Sequence, residues 1–326
     1  MATKRLVLEI LERNRGQNIS GEYIANLLGL SRNMVWRAIG DLRNDGYVIE
    51  AVTSKGYRLT GENDILSAEG IRPFLAPPDI AKSIEVYAEI DSTNREAKTR
   101  AVARAPHGAV ILANRQASGK GRHGKDFYSP SDSGLYMSFV LHSDILGFSN
   151  PTAITAYAAL SVCEAIESVC NLSPKIKWVN DIFLGGKKIC GILTEAITEI
   201  ENQSVREIVL GIGVNVSTRP QDFPETLREI AGSLYPDGNA QITRNRLAAE
   251  IINRVLRSDG PGGPDEARVF EGYRARLFML GADVAVTQGD ESYIAKALDI
   301  DEHGYLIVEK PSGELITLSS GEIKLL

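Results

Sequence analysis

Four short stretches of this chain concentrate residue types that bind and activate charged substrates. The densest is residues 114–125, NRQASGKGRHGK, where Gly119, Gly121 and Gly124 alternate with Lys120, Arg122 and Lys125. Glycines let backbone N–H groups come close to an anion, and the interleaved cations offset its charge. The spacing also matches the GxGxxG dinucleotide fingerprint, which requires a helix to open at the third glycine. Here the chain continues DFYSPSDSGLYMSFVL, with Pro130 and Gly134 ahead of a strand-like run, so the dinucleotide reading fails in context. A flexible loop able to meet phosphate oxygens remains, although an exposed basic loop with no ligand has the same composition.

The other three stretches are individually less specific. EIDSTN at 89–94 ends a strand in a polar turn whose Ser92, Thr93 and Asn94 can hydrogen-bond a polar ligand head; because REAKTRAVARA follows, it also reads as a plain helix cap. Residues 176–193, IKWVNDIFLGGKKICGIL, read as a hairpin with its tip at Gly185-Gly186. Side chains alternate along a strand, so of Lys187 and Lys188 only one can face a site, and a lysine beside a hairpin tip is often merely solvated. IVLGIGVNV at 208–216 reads as a buried strand in which Gly211 and Gly213 permit close approach and Asn215 offers an uncharged contact to a metal or phosphate. A glycine kink in a bent sheet explains the same letters.

A chain of 326 residues has room for two or three domains to position these groups. It contains no uninterrupted apolar run of about 18 residues, and its N-terminus interleaves charges with apolar residues, so the expectation is a cytoplasmic protein with no membrane partner. Cys163, Cys170 and Cys190 are odd in number and lack paired metal-ligand spacing, and the four histidines are scattered; buried or partly buried thiols without a zinc site are expected. Residues 1–60 hold nine Lys and Arg against six Asp and Glu, whereas the whole chain is at −6, which assigns any polyanion contact to the N-terminal part.

That part has the pattern of a winged helix-turn-helix. Leu6, Val7, Ile10 and Leu11 recur at helical spacing; Ser20 is placed to cap a second helix, and Ser31, after Gly29 and Leu30, a third reaching about Asn44. On the third helix Val35, Ala38, Ile39 and Leu42 share a face opposite Asn33, Trp36 and Arg37. Arg and Asn carry the forked groups that read base edges, so Arg32, Asn33, Trp36 and Arg37 are the candidate DNA contacts, with Lys55 and Arg58 of a hairpin wing reaching phosphates. The same unit retained only for packing or dimerisation would bury Trp36. Residues 60–67, TGENDILS, read as a linker.

Taken in order, DSTN, QASGKGRHGK, KWVNDIFLGGKKICGIL and GIGVNV resemble the biotin–protein ligase family, and with the helix-turn-helix the chain is similar to its bifunctional BirA type. The resemblance spans essentially the whole chain. It implies an α/β multidomain protein: a DNA-binding domain at 1–65, a central mixed-sheet catalytic domain at 66–273 and an SH3-like β-barrel at 274–326. Short β-rich runs from 282 onward, broken by Gly-Asp, His-Gly and Ser-Gly turns and preceded by PGGP at 261–264, agree with the last of these.

By the same resemblance, Ser92, Thr93, Asn94, Gln116, Gly119, Lys120, Gly121, Arg122, Lys188 and Gly191 would bind biotin. Lys120, Arg122, Lys125, Lys188 and Asn215 would bind ATP or the adenylate, Lys188, Arg122 and Asp181 would be catalytic, and Mg²⁺ would sit near Asn215. The implied partners are operator DNA, a biotin carboxyl carrier protein and, with adenylate bound, a second copy of the chain. Val179 stands where the family usually has proline, Lys120 where arginine is known and Phe127 where tryptophan is common; no essential charge is lost. The competing readings are a biotin-sensing repressor without ligase activity, a lipoate-type acyl ligase, and a DNA-binding regulator of an unrelated ligand. The pairing of KWVND with GKGRHG is against the second, and the third leaves Lys188 and Asp181 without a role.

Overall fold

The computed structural model describes residues 2–61, 64–81, 83–148, 150–198, 205–257, 264–289 and 291–326. Part of the expected linker (62–63), most of PGGP (261–263) and Asp290 of the expected Gly-Asp turn lie outside the described residues. The chain divides into two units, Met1–Ala81 with Ile242–Asn253, and Lys82–Gln241 with Arg254–Leu326.

The first unit is the expected winged helix-turn-helix. Helices α1 (Ala2–Arg13), α2 (Gly21–Leu28) and α3 (Arg32–Asn44) pack around Val7, Leu11, Ile24, Val35, Ile39 and Leu42. Ser20 Oγ accepts from Tyr23 N at 3.0 Å and Ser31 Oγ from Met34 N at 3.2 Å, caps that stabilise by about 1 kcal/mol each. The wing is the antiparallel pair β1 (Ile49–Val52) and β2 (Gly56–Leu59). A Cβ on Gly56 would stand 2.1 Å from Ile19 O, so only glycine lets β2 pass the segment before α2. A short helix, α4 (Ala68–Ile71), follows.

The second unit is built on a seven-stranded sheet from β3 (Ser83–Tyr87), β4 (Ala109–Ala113), β5 (Gly134–His142), β6 (Lys175–Lys177), β7 (Asp181–Leu184), β8 (Lys187–Thr198) and β9 (Val205–Asn215). Its order is β3-β4-β5-β9-β8-β7-β6, with β3 and β4 parallel and every other pair antiparallel, a mixed sheet as expected. Helix α5 (Thr93–Val102) packs on β5 and β9. After a short α6 (Ser143–Leu146), α7 (Pro151–Cys170) packs on β8. Helix α7 has the length and apolarity of a membrane span, but 72% of its most apolar window is buried, which marks a core helix.

Helix α8 (Arg244–Val255) belongs to the first unit as far as Asn253. There Arg244, only 1% exposed, donates from Nε to Asp64 Oδ2 at 2.8 Å and from Nη2 to Asp64 O at 2.6 Å. Asn245 Nδ2 donates to Ile65 O, and Asn245 Oδ1 accepts from Ser67 N. The polar stretch that reads as a linker is therefore fastened from Asp64 to Ser67, because a helix 178–180 residues away in sequence supplies donors to Asp64 and Ile65 and an acceptor to the Ser67 N–H.

Helix α9 (Glu266–Arg274) packs on α7. The chain ends in an antiparallel five-stranded sheet, β10 (Asp283–Gln288), β11 (Glu291–Ile300), β12 (Leu306–Glu309), β13 (Leu315–Leu318) and β14 (Glu322–Leu325), in the order β13-β12-β11-β10-β14.

Candidate active site on the seven-stranded sheet

Glycines on β8 and β9 make the floor of the site. A Cβ on Gly213 would lie 2.6 Å from Phe127 Cε1, one on Gly211 2.0 Å from Asn94 Oδ1, and one on Gly191 3.2 Å from Phe127 Cε2. The missing side chains let the Phe127 ring and the start of α5 settle onto the sheet. Over this floor opens a cavity of about 350 Å³ faced by the glycine-rich loop, the Lys177–Asp181 turn, β8, and residues 321–323 at the C-terminal end.

One end of the cavity is polar and uncharged. Gln116 Oε1 accepts from Thr93 N at 2.8 Å and Thr93 Oγ1 at 3.1 Å, while Gln116 Nε2 donates to Ser129 Oγ at 2.9 Å. Asn94 Nδ2 donates to Glu195 Oε2 at 2.9 Å, and Asn94 Oδ1 lies 2.6 Å from Ser138 Oγ. Thr93, Asn94 and Gln116 thus brace the wall as much as they line it. Ser92 lines the cavity and makes no capping bond to α5. Gly119, expected among the binding residues, is not on the wall: a Cβ there would meet Phe127 O at 2.5 Å and Ser129 Oγ at 2.6 Å, so it is glycine to let the loop fold against its own return.

The other end is charged. Alternation along β8 separates the two lysines: Lys187 Nζ donates to Glu229 O at 2.6 Å, away from the cavity, while Lys188 Nζ pairs with Asp181 Oδ1 at 2.6 Å inside it. Lys177 Nζ stands 3.9 Å from Asp181 Oδ2. Burial pushes the Lys177 ammonium below its ordinary pKa, with Asp181 opposing the shift. Arg122 Nη1 donates to Asn180 Oδ1 at 3.1 Å, and Asn180 Nδ2 to Ile192 O at 2.8 Å, so the glycine-rich loop is tied to β8 through one amide.

Lys120 and Lys125 also line the cavity but are more exposed, paired with Asp126 at 2.8 Å and Glu322 at 2.6 Å. The Lys125 hydrogen bond holds the Glu322 carboxyl below its ordinary pKa. Asn215 Nδ2 donates to Gly232 O at 2.9 Å, whereas its buried Oδ1 has no hydrogen-bond partner among the described residues. Asn215 therefore keeps an unpartnered acceptor oxygen and, with one of its two amide N–H groups on Gly232, a second donor.

Sequence reasoning gave no role to Lys177 or Asn180, although both stand in the KWVND stretch, and it missed the walls supplied by Leu227, Ile230 and Glu322. Nothing local marks Glu322, which is 197 residues from Lys125. The cysteines are free, and burial raises the thiol pKa of Cys163 and Cys190. Among the described residues no group of three or more His, Cys, Asp or Glu could hold a metal.

The nucleic-acid candidates lie in the first unit. Arg32, Asn33, Arg37 and Lys55 are exposed, and Trp36 is 64% exposed rather than packed in the core. Arg58 is paired with Glu50 across the wing.

Residues 86–215 match the biotin/lipoate A/B protein ligase family, residues 3–58 an HTH domain, and residues 279–326 the biotin protein ligase C-terminal domain. The chain is 33% identical over 311 residues to the bifunctional ligase/repressor BirA of Bacillus subtilis, covering 94% of each. It is 27% identical over 312 residues to the protein of that name from Escherichia coli, covering 95% of this chain and 94% of the relative. The structure of the biotin protein ligase from Aquifex aeolicus in complex with biotin and ATP aligns at a TM-score of 0.63 and 26% identity, covering 75% of this chain and 99% of the other. With its three parts matched in order and the B. subtilis relative aligned nearly end to end, the chain belongs to the BirA family of bifunctional biotin ligase/repressors.

Proposed function

We propose that this protein adenylates biotin with ATP and passes the biotinyl group to a lysine of a biotin carboxyl carrier protein, and that its first unit represses biotin genes by binding operator DNA. The observation that carries the enzymatic part is the convergence of Lys188, Arg122 and Asp181 at one end of a cavity whose other end is uncharged. That polarity suits a molecule with a neutral head and a carboxylate tail. Ser92, Thr93 and Gln116 face the head; Lys120, Gly121 and Arg122 close over the tail, and the Gly191 and Gly213 floor with Phe127 lies against its apolar part.

In the first step a biotin carboxylate oxygen attacks the α-phosphorus of ATP, the bond to the β-phosphate oxygen breaks, and pyrophosphate leaves. Negative charge gathers around the α-phosphate, where the fixed cations Lys188 and Arg122 stabilise it. In the second step the carrier lysine attacks the acyl carbon and AMP leaves; Asp181 accepts the proton of the attacking amine or, where it only orients the amine, the proton goes to water. Asn215 Oδ1, buried and unpartnered, fits Mg²⁺, which prefers oxygen and usually takes few protein ligands beside substrate phosphates. When bound, that ion would offset charge on the ATP phosphates. The exposed Arg32, Asn33, Trp36 and Arg37 face reads an operator, with two copies of the chain on a two-fold site when the adenylate is bound. The protein acts in the cytoplasm.

The test is incubation with Mg²⁺, α-labelled ATP and either biotin or lipoate. Biotin-dependent acyl-AMP with matching pyrophosphate is expected, and Lys188→Ala should slow its single-turnover formation while the protein stays folded. Product with neither acid, or only with lipoate, would overturn the assignment.

A further inference from the structure

Lys188 has two demands on it. It pairs with Asp181 at 2.6 Å, and the proposed adenylation needs its charge at the substrate. Asp181 is 16% exposed, so if Lys188 alone balanced it, moving that ammonium toward a substrate oxyanion would strand a shielded carboxylate.

The hairpin supplies a second cation. Strands β6 and β7 are joined by a tight turn that sets Lys177 directly opposite Asp181 in register. Lys188 Nζ lies 2.6 Å from Oδ1 as an ion pair without hydrogen-bond geometry, and Lys177 Nζ 3.9 Å from Oδ2, beyond hydrogen-bond length but within ion-pair range, so each carboxylate oxygen faces an ammonium. The Lys177 head also lies 5.5 Å from the centre of the Phe183 ring, which itself packs at a tilt of 52° against Phe278, and this holds the lysine on the cavity side of the strand. Two ammonium groups around one carboxylate leave one positive charge at this pair that is not neutralised, beside the Arg122 guanidinium; without Lys177, Lys188 is held as the sole balance of Asp181.

We propose that Lys177 is the standing counter-ion of Asp181, a positioning residue that frees Lys188 to meet the substrate's negative charge during adenylation. This rests on the biotin-adenylating reading of the site. Lys125 and Glu322 also act on Lys177, and burial lowers its pKa, so in the wild type adenylation should fall at alkaline pH as Lys177 loses its proton. In Lys177→Arg that limb should move to higher pH, because a guanidinium keeps its charge.

The experiment measures single-turnover adenylation of biotin by the full chain in Lys177→Met, Lys177→Arg, Asp181→Asn, Lys177→Met with Asp181→Asn, and Lys188→Met, alongside biotin affinity and thermal midpoint. Lys177→Met should slow adenylation roughly tenfold or more with its midpoint and biotin affinity little changed. Lys177→Arg should recover most of the rate. In the Asp181→Asn background the Lys177→Met loss should largely vanish, since no carboxylate is left to hold Lys188. An equal loss in both backgrounds, or a wild-type rate in Lys177→Met while Lys188→Met is slow, would overturn the role of Lys177 alone. A wild-type rate in Lys188→Met would overturn the reading of the site beneath it.

Discussion

Gly213 lies so close beneath Phe127 that a Cβ at 213 would stand 2.6 Å from Cε1 and 2.8 Å from Cζ of the ring. The glycine and the aromatic residue, 86 positions apart, form one surface: the strand gives up a side chain, and the ring fills the space and becomes part of the cavity wall.

Gly213→Ala should therefore turn the Phe127 ring into the cavity. Overpacking of this kind costs about 1–3 kcal/mol, and because the ring can swing the cost should fall near the lower end. Biotin affinity, measured by titration, should drop about tenfold, which is 1.4 kcal/mol. Unchanged affinity would mean that Phe127 is not part of the biotin wall.

Arg122 ties the glycine-rich loop to β8 through Asn180. Arg122→Gly should loosen the loop and let reactive adenylate escape before transfer. Free biotinyl-AMP in the supernatant of a turnover assay, with dissociation at least roughly tenfold faster, is the expected result. Retention equal to wild type would count against an anchoring role.

Asp64→Ala should destabilise the first unit, because it removes the carboxylate that pairs with an Arg244 only 1% exposed. Taking one partner from a fully buried pair costs about 3–5 kcal/mol, and because Asp64 is 30% exposed and its backbone carbonyl stays bonded to Arg244 the loss should fall below that range. Urea unfolding of the full chain should show an early transition of the helix-turn-helix in the helical circular-dichroism signal, with the emission of buried Trp178 in the other unit changing later; a first midpoint equal to wild type would rule this out.

Arg37→Ala should weaken binding to duplex DNA selected by the wild-type protein from a random library, by about 1–3 kcal/mol and chiefly at one base position, if the residue reads a base edge. A uniform loss across sequences would make it a phosphate contact. Adenylation, carried by the other unit, should not change.

Much of the fold was legible because its signals are local. Ser20 and Ser31 announce their helices, since a hydroxyl one residue before an apolar repeat caps whatever helix follows. The period-two pattern after Gly185-Gly186 puts Lys187 and Lys188 on opposite faces, and both the hairpin and the separation are present. The four motifs, far apart in the chain, each contribute residues to the lining of one cavity.

What the sequence could not decide depends on partners distant in the chain. Residues 64–67 look like a linker until Arg244 and Asn245 arrive to bond the Asp64 and Ile65 oxygens and the Ser67 N–H. Lys125 looks like a free phosphate ligand until Glu322 is found 2.6 Å away, and the Asn215 amide until one of its N–H groups is seen to be engaged by Gly232. Gly119 looks like a binding glycine but makes room for the loop's own backbone. Residue type and short spacing determine which groups can do chemistry; which of their hydrogen bonds and charges remain available is set by what the tertiary fold packs against them, and no local pattern encodes that.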